Sequence, residues 1–175
     1  MASETGAVPS AAQVADRLAI YDVLVAHCRG VDRADTEILR GCYWPDAEVA
    51  YGVFNGSAQR FCEILPKAIS VYARTQHCIG NVAIQLDGEI AHVESYVSAY
   101  HYAESTEGDR DVIFFARYLD RMAKRSNRWK LSHRQVVIDW YRNVPAAAVG
   151  SPMALDGFAR GARVPDDPLY AHLLR

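Results

Sequence analysis

Apolar positions near the start of the chain recur at three- and four-residue steps: Val14, Leu18, Tyr21, Val25 and Cys28 share one face of a helix. Ser10, just ahead of this run, supplies an N-cap oxygen, so the pattern predicts a helix over residues 11–31. One more four-residue step from Cys28 reaches Asp32, which sets a carboxylate on the same stripe. A second helix is predicted over residues 36–43, capped by Asp35 and ended by Pro45, whose ring removes a backbone donor. An extended stretch at 48–51 closes in the turn dipeptide Asn55-Gly56, and a third helix over 57–73 is kinked or divided by Pro66.

From His77 onward the texture turns to β. Extended runs at 82–86, 90–103, 112–122 and 129–141 are separated by Asp87-Gly88 and by polar links at 106–109 and 124–127. Asp-Gly between extended runs is a hairpin signal, and consecutive strands with short links make an antiparallel meander. Residues 143–175 carry several Pro and Gly and no sustained period, which reads as an irregular tail with one short helix at 155–160. Helices followed by a long antiparallel sheet define an α+β fold. A sheet wrapped around the helices leaves one concave apolar cavity, with the first-helix stripe facing it. The expected organisation is a disordered N-terminus (1–10), one folded domain (11–142) and a C-terminal tail (143–175) that covers the pocket.

Composition narrows the function classes. Nineteen basic against twenty-one acidic side chains give a net charge of −2 spread along the chain, so no basic field exists to attract nucleic acid or an anionic membrane. Cys28, Cys42, Cys62 and Cys78 show neither CxxC nor zinc-ligand spacing, and free, mostly buried thiols are expected. The first residues lack a basic region followed by an apolar stretch, and no apolar run approaches the roughly 20 residues that span a bilayer. A soluble cytoplasmic protein is expected. With no GxGxxG, phosphate loop, HExxH or GxSxG, neither a nucleotide cofactor, a metal nor a serine nucleophile is expected.

Three side chains stand out against this background. Asp32 sits at a helix C-terminus, where the macrodipole disfavours negative charge, and needs hydrogen-bonded partners if it points inward. Asp35, by contrast, reads as a structural cap. His77 has the chemistry of a general base near neutral pH. Alternation back from Val82, Ile84 and Leu86 nevertheless puts Cys78 on the apolar face, and only a bulge at Gly80-Asn81 brings His77 there. His101 is in step with Ala91, Val93, Val97 and Ala99, hence inward, whereas His92, Tyr96 and Tyr100 point outward. That aromatic outer face suggests a contact between subunits.

The stretch Asp32-Arg33-Ala34-Asp35, then Trp44-Pro45 and Tyr51, together with Thr75-Gln76-His77-Cys78-Ile79-Gly80, His101, Trp129-Lys130 and Trp140, resembles the scytalone dehydratase and SnoaL-like branches of the nuclear transport factor 2-like superfamily. The resemblance covers roughly residues 12–142. It implies a cone-shaped barrel of mixed, mostly antiparallel sheet around N-terminal helices, a cofactor-independent lyase, a homo-oligomer with a trimer favoured over a dimer, and a small hydrophobic ring-containing substrate. By resemblance His77 removes a proton, Tyr51 hydrogen-bonds the developing oxyanion, and Asp32 orients either His77 or His101. His101 then protonates or positions the leaving hydroxyl. An Asp–His pair at these positions also recurs in the hexachlorocyclohexane dehydrochlorinase and bile-acid dehydratase families. Departures from the dehydratase pattern are Val31, where it has a tyrosine, and Ala116 and Tyr118, where it has a serine and an asparagine. His27 and Arg134 fall at pocket positions of related branches, and Met153, Leu155 and Phe158 belong to the tail expected to close the pocket. The competing functions are a ketosteroid-isomerase-like isomerase or cyclase, a non-catalytic ligand-binding protein, and a β-type subunit of a ring-hydroxylating oxygenase.

Overall fold

A computed structural model describes residues 6–146 and 157–172 of the chain. Ser10 caps the first helix, α1 (Ala11–Arg33), in a closed capping box: its hydroxyl accepts from the Gln13 N–H, and the Gln13 side chain accepts from the Ser10 N–H. The helix runs two residues beyond the expected end, through Asp32, and stops where Ala34 takes a left-handed φ of 52°. Its buried face is Ile20, Leu24, His27, Cys28 and Val31, while Val14, Leu18, Tyr21 and Val25 are 37–62% exposed. The stripe read from spacing is thus not the core face. Two apolar stripes overlap on this helix, Cys28 belongs to both, and period alone does not tell which one meets the sheet.

Asp35 caps the second helix, α2 (Thr36–Cys42), with Oδ1 accepting from the Glu37 and Ile38 N–H groups at 3.0 Å each. The chain turns extended at Tyr43, ahead of Pro45, so β1 (Tyr43–Ala50) starts earlier than the stretch predicted at 48–51. A short β2 (Asn55–Ser57) pairs antiparallel with it, and Ser57 caps α3 (Ala58–Ile69). Pro66 lies in the last turn of α3, which ends at Ile69 rather than continuing to residue 73.

The meander follows as β3 (Arg74–Asp87), β4 (Ile90–Ala103), β5 (Arg110–Arg125) and β6 (Arg128–Pro145), all antiparallel neighbours. β1 joins β6 in parallel, giving the order β2-β1-β6-β5-β4-β3. The result is the expected α+β arrangement: a mixed, mostly antiparallel sheet, open rather than closed, curved like a cone around the helices. Gly88 at φ 59° turns the β3–β4 hairpin, and Ser126 and Asn127, at φ 50° and 59°, turn β5 into β6.

The expected bulge is present. Ile79 pairs with Val97 but Val82 pairs with Ser95, so three steps on β3 match two on β4. This extra residue puts Thr75, His77 and Ile79 on the same inner face as Val82, Ile84 and Leu86. Ile20, Leu24, Leu39, Tyr43, Phe61, Met122 and Leu131 fill the space between helices and sheet, and Val97, Ala116 and Tyr118 form a smaller cluster beside it. Cys28, Cys42 and Cys62 are buried and Cys78 is exposed, all four as free thiols.

The last described segment crosses back over the α1–α2 junction, with the Val164 N–H bonded to the Arg33 carbonyl at 2.9 Å. It ends in a single turn, α4 (Leu169–His172). Residues 157–160 are not helical, contrary to the helix predicted at 155–160, and Phe158 is 59% exposed rather than set in a pocket. Met153 and Leu155 lie outside the described residues. Among the described residues, no helix is long and apolar enough to cross a membrane.

Candidate active site

Asp32 comes from the last turn of α1 and His77 from the inner face of β3. One carboxylate grips both parts of the histidine: Oδ1 lies 2.7 Å from the ring Nδ1, and Oδ2 accepts the His77 backbone N–H at 2.9 Å. The two side chains are only 11% and 8% exposed, so the pair is largely removed from water. Burial works against the Asp32 charge, but the hydrogen bonds from His77 outweigh it and hold the carboxyl below its ordinary range. With Nδ1 facing a carboxylate, the ring proton sits on Nδ1 and Nε2 presents its lone pair. The histidine that pairs with Asp32 is therefore His77, not His101.

His101 stands on the next strand, opposite Thr75. Its ring meets His77 edge to face at 5.3 Å and 87°, and packs against Tyr72 and Phe114. Its Nδ1 lies 3.3 Å from the Val112 carbonyl, to which Nδ1–H donates. Burial, reinforced by the neighbouring His77, pushes the His101 pKa down to about 4. A neutral ring that spends its Nδ1–H on a carbonyl offers only an accepting Nε2. Of the two roles implied by resemblance, positioning a hydroxyl fits this ring and protonating it does not.

Further into the cone lies a second polar group. His27 Nε2 is 2.9 Å from the Tyr43 hydroxyl, and the His27 ring meets the edge of Tyr118. Arg134 lies over the Tyr118 face at 3.9 Å and makes a two-pronged ion pair with Asp120, both bonds 2.7 Å, fully buried. Burial opposes the guanidinium charge, and the Asp120 carboxylate more than offsets it. Tyr51 stacks on Phe61 at 4.3 Å, and burial raises its hydroxyl pKa, which keeps it a donor. The Tyr51 hydroxyl, Arg134 Nη1 and His27 Nδ1 are all buried with no hydrogen bond of ordinary length among the described residues, the Tyr51 hydroxyl lying close to both Arg134 and Tyr43. Val31 and Ala116, buried and apolar, offer no polar contact where the dehydratase pattern has one.

The dyad opens on a groove of about 470 Å³ whose walls include Tyr21, Val25, Cys28 and Asp32 from α1 and His77 and Ile79 from β3. Two of the exposed members of the α1 stripe, Tyr21 and Val25, thus line the groove instead of the core. A larger hollow of about 550 Å³, bordered by Gln85, His92, Glu94, Arg121, His133 and Gln135, lies on the outer face of the sheet and takes no part in the dyad. Asp120 was legible and missed, since it alternates in step with Ala116 and Tyr118 and so points inward. Arg163, which approaches Asp32 from the C-terminal segment, sits in a stretch without period and gave no signal.

Comparison with known proteins agrees with this architecture. The SnoaL-like domain family matches residues 12–135. The uncharacterized protein Rv2910c of Mycobacterium tuberculosis is 26% identical over 130 residues, covering 71% of this chain and 86% of its own. Among solved structures, a hexachlorocyclohexane dehydrochlorinase (LinA type 2) superposes with a TM-score of 0.71 at 20% identity, covering 81% of this chain and 97% of that one. A Novosphingobium aromaticivorans protein named as a candidate scytalone dehydratase gives 0.68 at 21% identity, with the same coverages. At these identities the likeness speaks for the fold. With the family matching more than two thirds of the chain over the cone and its dyad, this protein belongs to the SnoaL-like domain family of the nuclear transport factor 2-like superfamily.

Proposed function

We propose that this protein is a cofactor-independent hydro-lyase that eliminates water from a ring-containing hydroxy-carbonyl compound. The observation that carries the reading is the Asp32–His77 pair, in which one buried carboxylate fixes the ring, its tautomer and its backbone together. His77 Nε2 removes the proton next to the carbonyl, and the electron pair of that C–H bond forms the C=C double bond as the β C–O bond breaks. The proton then passes from His77 to the departing hydroxide, which leaves as water, so the base is regenerated within one turnover. Asp32 stabilises the protonated ring in between.

His101, neutral, accepts a hydrogen bond from the substrate hydroxyl and holds it in place. The Tyr51 hydroxyl and Arg134 Nη1, buried close to each other and neither in a hydrogen bond of ordinary length among the described residues, are suited to donate to an oxygen on which enolate charge develops. Tyr21, Val25 and Ile79 around the groove favour a ringed, apolar body. The same reading takes the outer aromatic face as the contact between copies in a homo-oligomer. Tyr96, Tyr100 and Trp140 are 43–49% exposed there, and Phe115 stacks on Trp140 at 3.8 Å.

The test is turnover of a panel of β-hydroxy cyclic ketones followed by mass spectrometry. The expected product is lighter by one water, and His77→Ala is expected to slow its formation by roughly 10²–10⁴-fold. A product of unchanged mass would favour an isomerase, and a His77→Ala protein of undiminished activity would remove His77 from the chemistry.

A further inference from the structure

The C-terminal segment delivers a cation to the back of the dyad. It is held by several independent contacts: Val164 N–H to the Arg33 carbonyl, Arg33 Nε to Asp167 at 3.0 Å, and the Tyr170 hydroxyl to Asp35 at 2.7 Å. Asp167 in turn accepts the Ala162 and Leu169 N–H groups at 2.8 and 3.0 Å, which sets the shape of the segment. So fixed, Arg163 donates through Nη2 to the carbonyls of Ile69 and Tyr72 at 3.2 and 3.0 Å. Its other terminal nitrogen, Nη1, is buried and has no partner among the described residues. The buried hydroxyl of Thr75, two residues before His77 on the same inner face of β3, makes no hydrogen bond of ordinary length among the described residues, and it lies close enough to Asp32 to help hold that carboxyl down.

Both residues wall a small cavity of about 100 Å³, together with Asp32, Arg33 and Arg74. Asp32, Arg33 and Thr75 also border the groove that opens on His77, so the two spaces adjoin. Charge in the small cavity is unbalanced. Arg33 is paired with Asp167 and Asp32 with His77, which leaves Arg163 and Arg74 without a salt bridge of their own among the described residues, the Asp32 charge reaching Arg163 only across the cavity. A buried guanidinium N–H with nothing to donate to is costly, and a bound acceptor recovers that cost. The space is small beside the groove, and a guanidinium beside a hydroxyl suits a carboxylate.

We propose that Arg163 Nη1 and Thr75 Oγ1 form a carboxylate subsite, with the ring of the same ligand lying in the adjoining groove beside His77. Resting on the elimination reading above, this makes the substrate a ring-bearing acid, with its carboxylate gripped on one side of the dyad and its reacting carbons on the other.

Benzoate and benzamide, equal in shape and different in charge, separate the idea from mere apolar binding. Calorimetric titration of the full chain is expected to show benzoate bound about tenfold or more tightly than benzamide, the preference a charge-assisted pair supplies. Thr75→Val, which leaves the segment's own contacts intact, is expected to weaken benzoate several-fold and leave benzamide unchanged. Arg163→Gln should abolish the preference, whereas Tyr170→Phe, which loosens the segment without touching the arginine, should keep it. Equal binding of the two probes, no benzoate binding at all, or a preference that survives both Thr75→Val and Arg163→Gln would each overturn the subsite. The same titration on His77→Gln separates the two claims. A benzoate preference persisting there supports the subsite whatever becomes of the elimination chemistry, and turnover of neutral ketones without any benzoate preference defeats the subsite alone.

Discussion

A buried histidine held neutral makes a protein acid-sensitive before its carboxylates titrate. His101 has a folded pKa of about 4 against an ordinary value of 6.5. Between those values the unfolded chain binds a proton that the folded chain does not, so stability falls as pH drops through this window. His27, fully buried and shifted the same way, adds to the effect. Urea denaturation is expected to show a loss of about 2–3 kcal/mol from His101 between pH 7 and 4, and His101→Gln is expected to remove that share. An unchanged pH slope in His101→Gln would show that the ring is not held neutral. Asp32 acts in a lower window: its depressed carboxyl stabilises the fold above the unfolded value of 3.8, and that contribution is lost as pH falls through the folded pKa. At this scale the sequence was readable where a side chain belongs to a regular period, as His101 does on β4. It was readable only conditionally at His77, whose phase depends on one extra residue, and not at all at Arg163, which is placed by contacts 91 and 94 residues away in the chain.

Elements position these residues through their ends. Asp32 reaches His77 because α1 continues into a final turn that Ala34 closes and Asp35 immediately follows with a new cap. Gly30 makes that corner close: a Cβ there would stand 2.8 Å from Leu39 Cγ, so the α1–α2 packing requires the missing side chain. Asp35→Ala removes the cap and the Tyr170 contact together, and a loss of about 1–2 kcal/mol is expected in thermal or urea unfolding, with Asp32 and His77 still paired. A loss indistinguishable from zero would deny Asp35 its capping role. Caps and hairpins were legible here because they use short-range chemistry: Ser10, Asp35, Asp87-Gly88. The core face of α1 was not, because a helix bearing two apolar stripes leaves that choice to the sheet and groove it meets.

For the whole molecule, the cone leaves an outer face that an isolated chain would expose to water: Tyr96, Tyr100 and Trp140 are each more than 40% exposed. Self-association through this face is expected, and sedimentation analysis should find an oligomer that Trp140→Glu shifts toward monomer. A monomeric native protein, or an oligomer indifferent to that charge, would locate the contact elsewhere or remove it. The overall topology was accessible from the order of periods along the chain, three helical and then four extended. The parallel docking of β1 on β6 was not, since it joins segments more than eighty residues apart, as Glu48 with His133, with no local pattern to announce it.

The central claim is that Asp32 and His77 act as one proton-abstracting unit, and a double-mutant cycle on turnover tests it most directly. With an α-deuterated β-hydroxy cyclic ketone that the native protein dehydrates, Asp32→Asn and His77→Gln are each expected to lower kcat by roughly 10²–10⁴-fold, and the double variant to be no worse than His77→Gln alone. Losses that multiply in the double variant, or a His77→Gln protein that still removes the deuteron at the native rate, would contradict the account.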